Sequence, residues 1–185
     1  MVVLFMIFMP VSKFLSYLVC IFLALGYLLM AAGFYQESAE ERKTAAMIGV
    51  IFACLYGVLI LLVYFAQITV VRSASLSDEA MRMLDFSRGG LLFDYDLLGY
   101  GMMALSTFFL GLTIKPKHRG DKWLKYLMMI HGIFFLSCFI MPITGLLGAG
   151  MADGSDSLGG VIALECWCVY FLPICILTAV HFQKS

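Results

Sequence analysis

The chain has 185 residues, of which 63% are hydrophobic and 13% are charged, and its mean hydropathy is +0.99. Soluble domains contain roughly 45–50% apolar and 25% charged residues, so this composition excludes an ordinary water-soluble protein and indicates a chain surrounded by lipid. The 12 basic and 12 acidic residues give no net charge, and therefore no electrostatic argument for a nucleic-acid partner.

Five apolar runs are each long enough to cross a bilayer, which requires about 20 residues in a helix. Their approximate limits are 14–35, 44–70, 91–114, 123–149 and 158–181. Little sequence is left for a separate soluble domain. We therefore predict an all-α fold, a bundle of five transmembrane helices that forms one integral membrane domain over residues 1–185 with the lipid bilayer as its partner.

Residues 1–10 precede the first spanning run and are apolar, but they are too few to span a membrane. They lack the basic region and the small-residue cleavage site of a secretory signal peptide. Two interpretations remain. The segment either lies at the membrane surface, or it is the end of a helix whose beginning is absent from this chain.

The second spanning run carries small residues at every fourth position. They are Ala45, Gly49, Ala53 and Gly57. A stripe of this kind lets helix backbones approach closely in lipid, so we predict that Gly49, Ala53 and Gly57 are helix-packing positions. The preceding Ser38-Ala-Glu-Glu41 is a candidate capping box for this helix.

Residues 72–90 are polar and predict a short helix between the second and third runs. Asp78 and Glu79 favour its start, Arg82 and Arg88 favour its end, and two glycines follow. The helix either lies in the headgroup region as an interfacial helix or packs on the bundle as part of a loop.

The third run begins with two acids, Asp94 and Asp96. Acids in the first turn of a helix complement its dipole, which is the simpler interpretation of both residues. Alternatively, Asp94 shares one face with Leu98 and Gly101, which would turn its carboxylate into the bundle. Both acids are therefore candidates for binding a proton, an ion or a small solute.

The fifth run contains Glu165, about 10 Å below the end of its helix at about 1.5 Å per residue. A carboxylate in hydrocarbon is costly, so it normally faces the interior of a bundle or a water-filled cavity. We therefore expect the other helices to gather around Glu165. Its carboxyl group would either bind a proton or cation on a transport path or make a structural hydrogen bond to a neighbouring helix.

The fourth run contains His131, and Pro142 is expected to bend its helix. A single histidine in such a run is more often a hydrogen-bonded core residue than a proton relay. If it faces Glu165, then Asp94, Glu165 and His131 would form a proton route in that order. Three further polar side chains in the spanning runs are weaker candidates: Gln67, Tyr100 and Thr107.

The six cysteines lie in apolar runs, and the sequence has neither a CxxC pair nor a Cys/His cluster with the spacing of a zinc site. Sequence motifs for nucleotide binding, metalloproteases and hydrolases are also absent. We therefore predict no metal and no cofactor, and we regard an enzyme as the less favoured class.

The distribution of basic residues predicts the orientation, because Lys and Arg are kept on the cytoplasmic side. With five spans, the 36–43 and 115–125 segments share one side with the carboxyl terminus, and most Lys and Arg residues lie there. We predict a multi-pass protein of the cell membrane with a cytoplasmic carboxyl terminus. That side is named the predicted inner end, and the opposite side is the predicted outer end.

Three classes of function follow from the sequence. The favoured class is transport or permeation of a small solute or ion, coupled to protonation at Glu165. The second is a structural or regulatory membrane subunit whose small-residue stripe binds partner helices or a second copy of the chain. The third is an intramembrane enzyme that uses Asp94, Glu165 and His131.

Overall fold

A computed structural model describes residues 1–72, 76–145 and 158–184, with the backbone alone for 158–163. In these ranges the regular elements are helices, which confirms the predicted all-α class. Among the described residues, five helical stretches are long and apolar enough to cross a membrane, as expected of a multi-pass membrane protein, and the fourth of them, Arg119–Thr144, consists of two consecutive helices.

The helices are numbered in chain order. Helix α1 is Val2–Phe8, α2 is Lys13–Glu37, and α3 is Lys43–Ala66, which continues as a π-helical turn, Gln67–Val71. Helix α4, Asp78–Leu84, and a 3-10 turn, Phe86–Arg88, lead to α5, Leu91–Thr113. The remaining helices are α6, Arg119–His131, α7, Phe134–Thr144, and α8, Leu158–Lys184. Residues 76–90 are named the connector.

The fourth predicted span differs most from the structure. It begins at Arg119 rather than at residue 123, and it breaks into α6 and α7 at Gly132 and Ile133. A Cβ atom at Gly132 would lie 2.8 Å from the Cβ of Phe108, so the break coincides with a close approach to α5. Pro142, where the sequence predicts a bend, lies inside α7. Residues 146–149 of the predicted span lie outside the described residues.

Helix α5 is the centre of the bundle. In its spanning stretch 61% of the residues are buried, compared with at most 39% in the other four spans. It packs against α2, α3, α6 and α7. Its glycines allow this close packing, because a Cβ at Gly99 would lie 3.1 Å from Ile60 of α3 and one at Gly111 would lie 3.0 Å from Met128 of α6. The helices therefore gather around α5, which differs from the expectation that they gather around Glu165.

The small residues of α3 pack within the chain. Gly49, Ala53 and Gly57 are all buried. A Cβ at Gly49 would lie 2.8 Å from Leu110 of α5, and one at Gly57 would lie 3.1 Å from Leu28 of α2. The stripe thus brings α3 close to both α5 and α2.

Helix α1 packs along the bundle, against α2 and α8. Val2 and Phe5 are buried, and Val2 lines a groove together with Tyr27 and Cys175, which lie well inside α2 and α8. This arrangement is that of a helix packed on other helices, and it differs from a segment lying flat at the membrane surface.

The capping box expected at residues 38–41 does not form. The hydroxyl of Ser38 donates instead to the carbonyl of Phe34 at 2.6 Å, at the end of α2, and Glu40–Arg42 is a 3-10 turn. Arg42 of that turn donates to the carbonyls of residues 112, 113 and 114, with the shortest contact, 3.0 Å, to Leu112. These bonds satisfy carbonyl groups that the end of α5 leaves without helical partners.

Candidate functional site

Asp96 is a buried acid near the predicted outer end of the bundle. It lies five residues after Leu91, the first residue of α5, about 8 Å along the helix axis at about 1.5 Å per residue. The residue is 1% exposed, and its Oδ1 atom has no hydrogen-bond partner in the part of the chain that the structure describes. A buried polar group left without a partner costs about 1–3 kcal/mol, and more when it is charged.

Side chains from α2, α3 and α5 surround this carboxyl group. With Asp96 they are named the Asp96 cluster, and each is at most 6% exposed: Cys20, Tyr56, Tyr64 and Tyr100. The Tyr64 hydroxyl lies near the carboxyl group of Asp96, and the Cys20 thiol lies near the hydroxyl groups of Tyr64 and Tyr100. The Tyr56 hydroxyl also lacks a hydrogen-bond partner among the described residues. The cluster therefore contains two buried polar atoms with unused hydrogen-bonding capacity.

The Asp96 cluster contains no basic side chain, and no ion pair joins Asp96 to a Lys, Arg or His among residues 1–72, 76–145 and 158–184. An isolated carboxylate in an apolar interior is strongly disfavoured. The carboxyl group of Asp96 is therefore expected to carry a proton or to be paired with a bound cation.

His131 lies deeper in the bundle and is fully buried, at 0% exposed. The indole N–H of Trp167 donates to its Nε2 at 3.0 Å, and its Nδ1 lies 2.7 Å from the Thr107 hydroxyl. An indole nitrogen can only donate, so Nε2 must accept and the ring proton is assigned to Nδ1. The Thr107 hydroxyl accepts that proton and itself donates to the carbonyl of Ala104 at 2.8 Å. His131 is thus a hydrogen-bonded core histidine that fixes the position of Trp167.

An aromatic contact joins the Asp96 cluster to His131. The rings of Tyr100 and Trp167 meet edge to face, with centroids 4.9 Å apart. Asp96 and Thr107 are eleven residues apart on α5, about 16 Å along its axis at about 1.5 Å per residue. Polar and aromatic side chains therefore form a column from Asp96, through Tyr100 and Trp167, to His131.

A second polar cluster lies at the predicted inner end and is named the His181 cluster: Glu37, Asp121 and His181. The Nδ1 atom of His181 lies 2.8 Å from Asp121 Oδ1, and its Nε2 lies 2.9 Å from Glu37 Oε2. Asp121 is 1% exposed, and its Oδ2 accepts the backbone N–H groups of Lys117 at 2.8 Å and His118 at 3.4 Å. The cluster joins the ends of α2, α6 and α8.

The His181 cluster opens into a cavity of about 330 Å³. Glu37 and His181 line it, together with Thr113, Lys115 and Lys117. Both lysines are exposed, so the cavity lies at the surface of this end of the bundle. Sequence reasoning missed the cluster. The spacing of His118 and Asp121 is that of the capping box observed at α6, but no local signal pairs His181 with Glu37, which is 144 residues away.

The four predicted site residues occupy different environments. Asp96 and His131 are buried, Asp94 is exposed and Glu165 is half-buried. The exposure of Asp94 fits the simpler interpretation, an acid that complements the helix dipole, and not the alternative in which it faces the bundle. Residues two apart on a helix point about 200° apart, and it is Asp96 that is buried. Glu165 forms no hydrogen bond or ion pair with the described residues. His131 contacts Trp167 instead of Glu165, so the structure does not bring Asp94, Glu165 and His131 together as the proposed route.

This five-span helical bundle thus contains a buried acid, an aromatic column that leads from it to His131, and the His181 cluster. No known family model, curated protein or solved structure matches this chain. Among these side chains Asp96 is the strongest candidate for a functional role, because it is 1% exposed and its Oδ1 atom lacks a partner among the described residues.

Proposed function

We propose that this membrane protein takes up a proton from one aqueous phase at the carboxyl group of Asp96 and conducts it into the bundle. The observation that supports the proposal most is the unpartnered Oδ1 atom of a carboxyl group that is 1% exposed. Ionisable groups placed inside membrane bundles commonly mark proton or ion pathways. We keep the class of function that the sequence favours, transport coupled to protonation, but assign the proton-binding carboxyl group to Asp96 instead of Glu165.

A proton suits the Asp96 cluster better than a larger ligand does. The side chains around the carboxyl group are at most 6% exposed, so they pack closely around it. The hydroxyl groups of Tyr56, Tyr64 and Tyr100 can each donate and accept a hydrogen bond, which allows them to follow a change in the protonation of Asp96.

His131 is assigned a positioning role in this proposal. It holds the indole of Trp167 through the 3.0 Å hydrogen bond, and that indole closes the inner side of the cluster against Tyr100. A proton that leaves Asp96 towards the predicted inner end must pass this pair of rings. The His181 cluster and its cavity lie beyond them, where the aqueous phase reaches the bundle.

The test is proton flux into proteoliposomes that contain the full chain and an internal pH-sensitive dye, under a potassium diffusion potential. Wild-type protein should conduct protons above protein-free vesicles, and Asp96→Asn should bring the flux close to that of protein-free vesicles, because an amide side chain cannot take up and release the proton. Asp94→Asn is the matched control, because Asp94 is an exposed acid on the same turn of α5. Glu165→Gln tests the original carboxyl candidate in the same assay.

Each result of this assay is decisive. Absence of flux in the wild type, or equal flux in wild type and Asp96→Asn, would refute proton conduction through this carboxyl group. A loss of flux in Glu165→Gln alone would return the role to Glu165.

The two other classes receive less support. A partner-binding subunit was inferred from the stripe of α3, but Gly49 and Gly57 are covered by Leu110 and Leu28 of the same chain. An intramembrane enzyme was inferred from a group of side chains that includes Asp94, which is exposed.

A further inference from the structure

The connector covers the Asp96 cluster at the predicted outer end. Its 3-10 turn places the ring of Phe86 against those of Tyr17, Tyr64 and Phe93, with centroid separations of 6.1, 6.1 and 5.3 Å. Phe86 is 9% exposed, while the other described side chains of the connector are half-buried or exposed. The Tyr64 hydroxyl lies near Asp96. Phe86 thus packs against a ring whose hydroxyl group lies near the buried acid.

Gln67 fixes the connector in this position. Its side chain is 4% exposed and belongs to the π-helical turn at the end of α3. The amide Nε2 donates to the carbonyl of Leu84 at 2.6 Å, and Oε1 accepts the backbone N–H of Phe86 at 3.1 Å. One buried amide therefore holds the backbone on both sides of residue 85. Single π-helical turns within longer helices are frequently found at functional sites.

The connector is braced by its own side chains. Asp85 Oδ1 accepts the backbone N–H of Ser87 at 3.0 Å and its hydroxyl at 2.7 Å. Arg88 lies 3.4 Å from a carboxylate oxygen of Asp78 and 3.7 Å from one of Asp85. Gly89 follows with φ of 66°, a left-handed conformation that glycine adopts without strain. These contacts keep the turn together as a unit, while Gln67 and Phe86 attach that unit to the bundle.

We propose that Gln67 and Phe86 form a lid that controls the access of water and protons to Asp96 from the predicted outer end. The inference rests on the proposed function, because such a lid matters only if Asp96 exchanges protons with the aqueous phase. In the structure the lid is closed. Opening it separates one buried ring from its neighbours and breaks the two hydrogen bonds of Gln67, without unfolding a spanning helix.

Cys20 provides a native reporter beneath the lid. Its thiol is 1% exposed and lies beside Tyr64 and Asp96. It is also one helical turn along α2 from Tyr17, which contacts Phe86. The full chain in proteoliposomes is treated, on the side that exposes the connector, with a small membrane-impermeant methanethiosulfonate. Peptide mass mapping then gives the labelling rate of each cysteine separately.

Gln67→Ala and Phe86→Ala should each raise the labelling rate of Cys20 by about tenfold, because losing one or two interactions of about 1 kcal/mol shifts a local opening equilibrium by that order. Thr69→Ala is the matched control for Gln67, since the Thr69 hydroxyl in the same π-helical turn donates to the carbonyl of Phe65 in its own helix. Phe65→Ala is the matched control for Phe86, since Phe65 is 61% exposed. Both controls should leave the rate unchanged.

A second thiol separates lid opening from general loosening of the bundle. The control thiol is introduced by Ala46→Cys, because Ala46 is 0% exposed and lies on α3 about 31 Å along the helix from Gln67, at about 1.5 Å per residue. It should stay unlabelled when only the lid opens. An unchanged Cys20 rate in both lid variants, or a parallel rise at residue 46, would overturn the lid. The labelling reports access and not flux, so a failure of the Asp96→Asn flux test would remove the proposed function while leaving the lid result intact.

Discussion

Asp96 and Asp121 are equally buried, each at 1% exposed, yet they are bound very differently. Both oxygens of Asp121 are used, Oδ1 by His181 and Oδ2 by two backbone N–H groups. Asp96 has a tyrosine hydroxyl beside it and an Oδ1 atom without a partner among the described residues. Burial alone therefore does not distinguish a functional acid from a structural one.

The difference lies in how many hydrogen bonds each carboxylate receives. An acid whose oxygens are all bonded stabilises the fold, because removing it leaves its buried partners unsatisfied. An acid that lacks partners has few hydrogen bonds that its replacement would break. On this basis the predicted inner end is a structural joint between α2, α6 and α8, and the predicted outer end carries the carboxyl group that we propose exchanges protons.

The largest expected effect is a difference in stability between two replacements by asparagine, which keeps the size of the side chain. Asp121→Asn should lower the free energy of unfolding by about 2–3 kcal/mol, because it removes charge-assisted hydrogen bonds to His181 and to the start of α6. Asp96→Asn should stay within about 1 kcal/mol of the wild type, since it breaks few bonds. Thermal unfolding in detergent measures both. Equal losses of stability would contradict the comparison.

A smaller loss of stability is expected from His131→Phe, which tests the column of side chains from Asp96 to His131. The phenyl ring keeps the stacking on Phe134 and Tyr170, whose centroids lie 5.3 and 5.8 Å from the imidazole. It leaves the indole N–H of Trp167 without an acceptor, at a cost of about 1–2 kcal/mol. The fluorescence emission of Trp167 should shift to shorter wavelength.

The chain contains two tryptophans, and Trp123 is 65% exposed, so the measurement is made in a Trp123→Phe background. An emission maximum that does not move on replacing His131 would argue against the hydrogen bond between the two rings.

The smallest loss of stability is expected from Glu37→Gln in the His181 cluster. The Glu37 side chain is 33% exposed, so its contact with His181 is partly screened by water and contributes less than about 1 kcal/mol. The loss of stability should shrink further as salt is added, unlike that of Asp121→Asn. A loss as large as that of Asp121→Asn would show that both acids are equally important to the joint.

Part of the candidate site was predictable from the sequence. Asp96 and His131 stood out as ionisable residues in apolar runs, and Gln67, Tyr100 and Thr107 were recognised as weaker polar candidates. The sequence did not distinguish Asp96 from Asp94, because both lie in the first two turns of α5 and only the rotation of that helix decides which one is buried. Glu165 is the leading candidate from the sequence, but the packing of α8 leaves it half-buried.

The all-α class and the five spans are predictable from hydropathy, because a chain in lipid must bond its backbone internally and therefore forms apolar helices of recognisable length. The hydrogen bonds of Gln67 to Leu84 and Phe86, and those of His181 to Asp121 and Glu37, are seen only in the folded chain. Such contacts depend on how each helix is turned about its own axis. That rotation is set by side-chain packing between segments far apart in the chain, and local sequence patterns do not contain it.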